Sequence, residues 1–575
     1  MRNRQRELRG EESGVALLTA VIFVAISLLI LGTMVSRHQN QRLQAEFYQT
    51  YQTAFDGAES ALLGGKLAVE NGGSGIVGLD DWDPVYNDNN TLQLPAFDST
   101  DANPAAFSSM PEIEYMSYVV DWFTDGRDSN GDGEVDNAAE RDIISIHTAS
   151  QFRGVRRRLE AIYRTVDVNV WRNAVFAGGG QAGGLINGNV SVHGSVHLLG
   201  TNIMPGTPAI EALDLSGTSL IHNNYGGMPA PLRARVPAPA TVLHNGEAAE
   251  TLGAKLRVRR GLVGMSGTSE IGQPYTAGAG VKDTMDGVYV NDGWTGNQVI
   301  DNGGRGIPAN VFSDNSFNAL YDLGSRVAMP MLSDLWHNPD GSFILNPATN
   351  EWYTHEEYFS QVLLANPNAA NDGVYNGNIV IDTTSNSKFY WNATRNTTNP
   401  AIAPSPGDDY LLFDPSLNLL TMNGQIRING TLSFEQRGSD RVINYSGKAA
   451  FLVTEGITID ASLISCNNGN PSDTAESFPV ANAIGLMSFR DMLVGSTAQL
   501  NIMGAFYAQG TIKTMKQTNV VGTFVANYFD MGANVPSIFQ VPTLPDNLPL
   551  GMIGNYPILT LEIEAWRELG VFPTR

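Results

Sequence analysis

Residues 14–35, GVALLTAVIFVAISLLILGTMV, form a run of twenty-two positions without a charge or a proline. At about 1.5 Å per residue such a run spans roughly 33 Å as a helix, enough to cross a hydrocarbon core of about 30 Å. A secretory h-region is usually shorter, and no A-x-A-like cleavage site follows. From Ser36 the chain turns polar, yet Leu43, Phe47, Tyr48, Tyr51, Phe55, Ala58, Ala61 and Leu62 recur at mostly three-to-four spacing. The pattern predicts one helix over 15–69, apolar all round at first and amphipathic afterwards. One rod can then sit first in lipid and next against a folded domain.

Past residue 70 the period shortens. Residues 70–105 are rich in Gly, Asp, Asn and Pro and are expected to be irregular. Strands are predicted over 113–124, 142–152 and 155–166, the last two joined by a tight turn at Arg153-Gly154. A helix on such an antiparallel sheet makes an α+β head over 70–170.

From residue 173 short apolar strands are separated by Gly and Asn, as in NGNVSVHGSVHLLG from Asn187 and NGQIRINGTLSF from Asn423. Aligning four such runs puts Phe451, Met487, Phe506 and Phe524 in one column, with the last two gaps 19 and 18 residues. Each coil of a parallel β-helix buries its apolar face only against its neighbours, which imposes a period of this kind. The reading is an all-β right-handed parallel β-helix over 171–535, with a β-sandwich as the alternative. Phe451, Val453, Phe506, Ala508, Phe524 and Ala526 are expected inward, and Glu455, Arg490, Gln509 and Asn527 at one polar corner. An insertion at about 320–370 carries Trp336, Trp352, Tyr353, Tyr358 and Phe359, with Thr354 and Glu357 as a capping box. Residues 536–575 are expected to be a Pro-rich tail ending in a capping helix over ILTLEIEAWRELG.

The chain has 575 residues and a formal charge of -23, with only 16% charged residues. That balance argues against binding nucleic acid through general electrostatics. At 42% hydrophobic residues the chain is not disordered. Cys466 is the one cysteine, so there is neither an intramolecular disulfide nor a thiolate cluster, and it reads as a small buried hydrophobe. Arg2, Arg4, Arg6 and Arg9 precede the apolar run, against Arg37 and Arg42 after it. This bias keeps the N-terminus cytoplasmic and exports everything past residue 36.

Candidate chemistry is sparse. No G-x-S-x-G, H-E-x-x-H or Walker pattern is present, and Asp460, Asp491 and Asp530 fall in different columns, so no enzyme is expected. His193 and His197 flank Gly194, which marks a turn, and are expected to be solvent-exposed. Arg156, Arg157 and Arg158 read as a solvated strand face. One stretch carries ligand spacing: Asp128, Asn130, Asp132, Glu134 through its backbone oxygen, and Asp136, with Gly133 allowing a sharp turn. These oxygens can wrap a hard cation, which points to calcium. Position 12 of an EF-hand would be Ala139, with Glu140 one residue late, so a helix-flanked EF-hand is disfavoured.

The basic leader ends in Gly14, followed by Val15-Ala16-Leu17-Leu18-Thr19, and this resembles the prepilin processing site of type IV pilins. Thr19 stands where major pilins carry glutamate, and in this the chain is similar to PilX-like minor pilins and K-type pseudopilins. The run GVRRRLEAIYR over 154–164 is similar to the closing hairpin of PilX-like proteins, so the resemblance covers roughly residues 1–170. The nine-residue acidic loop is similar to calcium loops of pilus-associated adhesins. The resemblance implies cleavage of the 1–14 leader between Gly14 and Val15 by a prepilin peptidase, with Gly10 the weaker site. It implies residence as a single span in the inner membrane, then assembly with other pilins through the helix. The β-helix would be displayed at a filament tip or the cell surface for adhesion or assembly priming, toward a surface ligand the sequence does not name. The alternatives are a membrane-anchored polysaccharide-active β-helix enzyme and a K-type pseudopilin of a secretion system.

Overall fold

The computed structural model describes the chain apart from residues 1, 72, 80–81, 87–91, 123, 130–134, 136–139, 141, 180–190, 205–209, 293–297, 339–341, 365–372, 386, 436–441, 532–535 and 570–575, and the side chains of 2–17. It divides into two compact units, residues 1–166 with 559–575, and residues 167–558.

The first unit, the head, begins with α1 (Arg2–Glu70), which starts well before the expected boundary and holds no proline. At about 1.5 Å per residue it is roughly 100 Å long. Residues 18–49 are exposed on every side, including Leu43, Phe47 and Tyr48, and the packed face begins only at Thr50. There Ala54, Gly57, Ala58, Ala61 and Gly65 form a buried stripe of small residues at helical spacing. Their size lets the helix backbone approach the sheet. Thr148 Oγ1 donates to the Ala58 carbonyl at 3.1 Å, and Ser150 Oγ to that of Ala54. A Cβ added at Gly57 would lie 2.8 Å from Ile113 Cγ2, closer than side chains tolerate.

The sheet runs in the order β1 (Ala105–Phe107), β2 (Met110–Asp121), β3 (Ile143–Phe152), β4 (Val155–Asp167) and β5 (Leu559–Leu569). The first three ladders are antiparallel. β3 is central, and residues on both of its faces are buried. Ile144 and Ile146 join Ala161, Tyr163 and Leu561 in a core that Leu62 and Val69 of α1 pack against. On the opposite face Ala149 and Met116 meet Leu79, Leu92 and Leu94, so part of the 70–105 segment expected to be irregular connection forms a third layer.

The expected C-terminal capping helix is a strand. β5 returns to the head and pairs beside β4, so the 167–558 unit is inserted between two strands of one sheet. Helix-forming Glu562, Ala565 and Leu569 lose to the ladder and to charge pairing. Arg164 meets Glu564 at 2.6 Å, Arg157 lies 3.5 Å from Glu568, and Arg567 pairs with Glu160. Glu70 of α1 accepts from Thr560 Oγ1 and Leu561 N, and Tyr51 donates to Glu568 at 3.2 Å.

The second unit is a stack of parallel rungs. Its longest ladder runs Val374–Asn376, Leu419–Asn429, Lys448–Val453, Ala483–Ser488, Leu500–Thr514, Thr518–Asp530, Val175–Ala177, Val196–Leu198, Lys255–Val258, Gly287–Asn291 and Ala319–Leu320, every pairing parallel. Leu419–Asn429 and Leu500–Thr514 each pair on two faces, so six strands close into a ring. One column, Ile426, Phe451, Leu486, Phe506, Phe524, Val175, Val196, Leu256 and Val288, is almost entirely inaccessible to solvent. The column thus holds Leu486 and not the expected Met487. Both residues are fully buried, so apolarity could not fix the phase. Gly522, at φ 136°, turns the corner where a Cβ would overlap the Gly504 carbonyl oxygen.

The rungs are not stacked in chain order. Val175–Ala177, first in the unit, lies between Thr518–Asp530 and Val196–Leu198. The unit's two ends therefore meet: Val168 N donates to the Ile558 carbonyl at 2.8 Å, and Ile558 N to Asp167 Oδ1 at 2.9 Å. Adjacent ends are what allow a large unit to be inserted within a sheet.

Candidate functional site

Of the expected calcium set, Asp128 is described, while Asn130, Asp132, Glu134 and Asp136 lie outside the described residues. Asp128 sits in a turn beside Asp125, whose carboxylate accepts from Arg127 N at 2.8 Å and Ser129 Oγ at 2.6 Å. Glu140, fully buried, accepts from Ser129 N at 2.5 Å. Among the described residues no group of three or more His, Cys, Asp or Glu is arranged to hold a metal. Gly14 and Val15 lie within α1.

The turn borders a cavity of about 460 Å³ lined by Tyr86, Trp122, Asp128, Ser145, His147, Glu160 and Trp566, among others. Strand register builds its floor. Ser145 pairs with Val120 and Ile162, and His147 with Tyr118 and Glu160, so two adjacent rows present to the same side of the sheet. The indole N–H of Trp122 donates to Ser145 Oγ at 3.1 Å, and that oxygen lies 3.0 Å from His147 Nε2. Glu160 Oε1 is 3.8 Å from the same nitrogen, and its carboxylate pairs with Arg567. Burial pushes the His147 imidazole down to about 4, outweighing the pull of Glu160, so it is neutral near pH 7. Its Nδ1 has no hydrogen-bond partner among the described residues. Sequence reasoning passed over these groups. The available signal was Ser145 and His147 at alternate positions of a strand otherwise rich in isoleucine.

Other candidates resolve into structure. His193 and His197 are buried, not solvent-exposed, because the apolar rungs enclose them. His193 stacks between Phe539 and His222 at 4.4 and 4.6 Å, and His197 Nε2 lies 2.6 Å from Tyr321 Oη. Gly194 does turn between their strands. The arginine run is not a solvated face either. Arg157 is buried over the Tyr51 ring at 3.3 Å, while Arg156 and Arg158 donate to the Pro95 and Leu94 carbonyls. Cys466 is buried, with its thiol pushed up to about 11 by desolvation. Asp460 accepts from Ser496 N at 2.6 Å, Asp491 from Thr511 N at 2.7 Å, and Asp530 pairs with Lys513 at 2.7 Å. At the polar corner Glu455 and Arg490 pair at 3.3 Å. The capping box forms, with Thr354 accepting from Glu357 N at 3.2 Å and Glu357 from Thr354 N at 2.9 Å.

By length and composition α1 is the one described helix able to cross a membrane. No protein-family model matches the chain, and no curated protein matches it. Among solved structures it is similar to the competence-associated pilin ComZ from Thermus thermophilus, at a TM-score of 0.45 and 16% identity, covering 90% of this chain and 97% of that one.

Proposed function

We propose that the chain is a minor pilin-like subunit of a type IV pilus that carries the 167–558 unit as a displayed domain. The observation behind this reading is α1 itself: an unbroken helix, exposed on every side over 18–49, whose last turns pack on a sheet through small residues. Such a rod offers its first part to lipid and its middle to the helices of neighbouring subunits. Cleavage between Gly14 and Val15 would release the basic leader and leave an apolar N-terminus. Arg2, Arg4, Arg6 and Arg9 favour a cytoplasmic N-terminus before assembly.

In this reading the stack is a parallel β-helix, wound right-handedly as crossovers between twisted parallel strands favour. Its bulk suits a filament tip or sparse position, where it would serve adhesion or assembly priming without catalysis. Asp128, Asn130, Asp132, Glu134 and Asp136 would hold calcium between β2 and β3. Shearing surface fibres from cells that produce the chain tests the assignment. The subunit should co-sediment with the fibres. Retention of the whole pool in the membrane after shearing would contradict it.

A further inference from the structure

We propose that the hairpin Ala240–His244/Glu247–Thr251 joins a second copy of this chain edge to edge, the two outer strands pairing antiparallel about Val242. The inference concerns a surface of the 167–558 unit and does not depend on assembly into a filament. The hairpin is a two-stranded sheet of its own. Its turn, Asn245-Gly246 at φ 50° and 85°, is of the two-residue type that makes His244 and Glu247 a hydrogen-bonded pair. Bonding then alternates along the ladder. Ala240, Val242 and His244 bond inward, while Thr241 and Leu243 turn their N–H and C=O groups outward. Among the described residues these outward groups have no partner.

An open strand edge is ordinarily guarded by charge, proline or a bulge. The head's edge strand β5 is guarded in this way, with Glu562, Glu564, Arg567 and Glu568. Ala240–His244 has no Asp, Glu, Lys, Arg or proline, and its first four residues are exposed, Leu243 at 79%. In a chain of formal charge -23, this is a stretch where a second copy brings no like charge to the contact.

The edge is complementary to itself. A half rotation sets Thr241 opposite the partner's Leu243, and Leu243 opposite the partner's Thr241, so the outward groups of both copies are met. Val242 then faces the partner's Val242 in the closer, non-hydrogen-bonded kind of pair. Pro237 and Pro239 have no N–H with which to lengthen the ladder. The inner strand's far edge is taken: Glu250 N donates to the Gly280 carbonyl at 2.9 Å, and Lys282 N to that of Glu250 at 2.8 Å. Pairing therefore closes at two copies and does not run on into a fibre. Five residues a side are fewer than the roughly 20–30 of a stable interface, so the contact relies on the reading of α1 as a span that confines copies to one membrane.

Cys466 is buried, which leaves an introduced surface thiol as the accessible one. Mild oxidation of the full chain in the cells that produce it, with Val242→Cys compared against Leu243→Cys, tests the pairing. Paired Val242 positions stand about 4.5 Å apart at Cα, within disulfide reach, whereas the two Leu243 positions lie diagonally at more than about 7 Å. Val242→Cys should give several-fold more disulfide-linked dimer of this chain than Leu243→Cys, although Leu243 is the more exposed residue. Thr241→Pro, tolerated where an N–H faces solvent, should cut the Val242→Cys dimer several-fold. Fractionating the same cells reports separately on whether α1 holds the chain in the membrane. No dimer from Val242→Cys, an equal or greater yield from Leu243→Cys, a yield unmoved by Thr241→Pro, or a Val242→Cys adduct with another protein in place of a second copy would overturn the proposal.

Discussion

The head and the 167–558 unit hide their backbones in opposite ways. In the head, strands from either side of the insertion meet in one sheet, and the last of them buries little apolar surface: Ile563 and Trp566 are exposed, and charge pairs to β4 hold it. In the stack, each rung adds one residue to apolar columns that pass through the point where the chain enters and leaves. Local repetition secures the stack, and distant charge complementarity closes the head. Perturbations should therefore act on the two units differently.

The largest difference should come from Phe524→Asp, which places an unpaired charge in a column where Phe506 stands edge-on at 5.4 Å. The expected cost exceeds about 4 kcal/mol. Calorimetry should show loss of the stack's transition with the head's retained. Unchanged melting would refute the register.

Acid should come next. His193, His222 and His355 in the stack are pushed down to about 3, 4 and 3 by desolvation, His197 also falls well below its ordinary value, and the head has His147 at about 4. Each folded value lies below the unfolded value near 6.5, so stability is present above that pH and is lost as pH falls toward the folded value. Between pH 7 and 5 each such histidine costs about 2 kcal/mol. The stack should thus lose several times more stability than the head, which melting curves across that window would measure. Equal losses would break the comparison.

Arg567→Ala should act on the head alone. It leaves Glu160 buried without its partner, but Arg567 is more than half exposed, so the expected loss is only about 1–2 kcal/mol. Urea unfolding should show it, and high salt should reduce the difference between variant and parent. The smallest effect belongs to calcium. Millimolar calcium should raise the head's melting temperature by a few degrees through mass action, and Asp128→Ala with Asp132→Ala should remove the shift. No heat and no shift on titration would reduce the loop to an acidic turn.

What the sequence revealed follows the same division. The helix, the three antiparallel strands, the turn at Arg153-Gly154, the capping box and the stacked rungs all rest on periods or caps a few residues long, and all were legible. The phase at Leu486 was not, because two adjacent apolar residues satisfy the same column. β5 was misread because Glu562, Ala565, Arg567 and Leu569 favour a helix, although Leu559, Leu561 and Ile563 alternate as a strand would. Its partners, Glu160 and Arg164, lie some four hundred residues earlier, beyond the reach of any local pattern. The cavity escaped for the same reason, since Trp122, His147 and Trp566 share a wall only once the sheet is closed.

The central claim is that α1 works as a processed assembly helix. Mass spectrometry of the intact protein, extracted from the membranes and sheared fibres of cells that produce it, tests this most directly. The account expects a mature chain beginning at Val15, enriched in the fibre fraction. A chain that still carries residues 1–14 in both fractions would contradict it and leave α1 as a simple anchor.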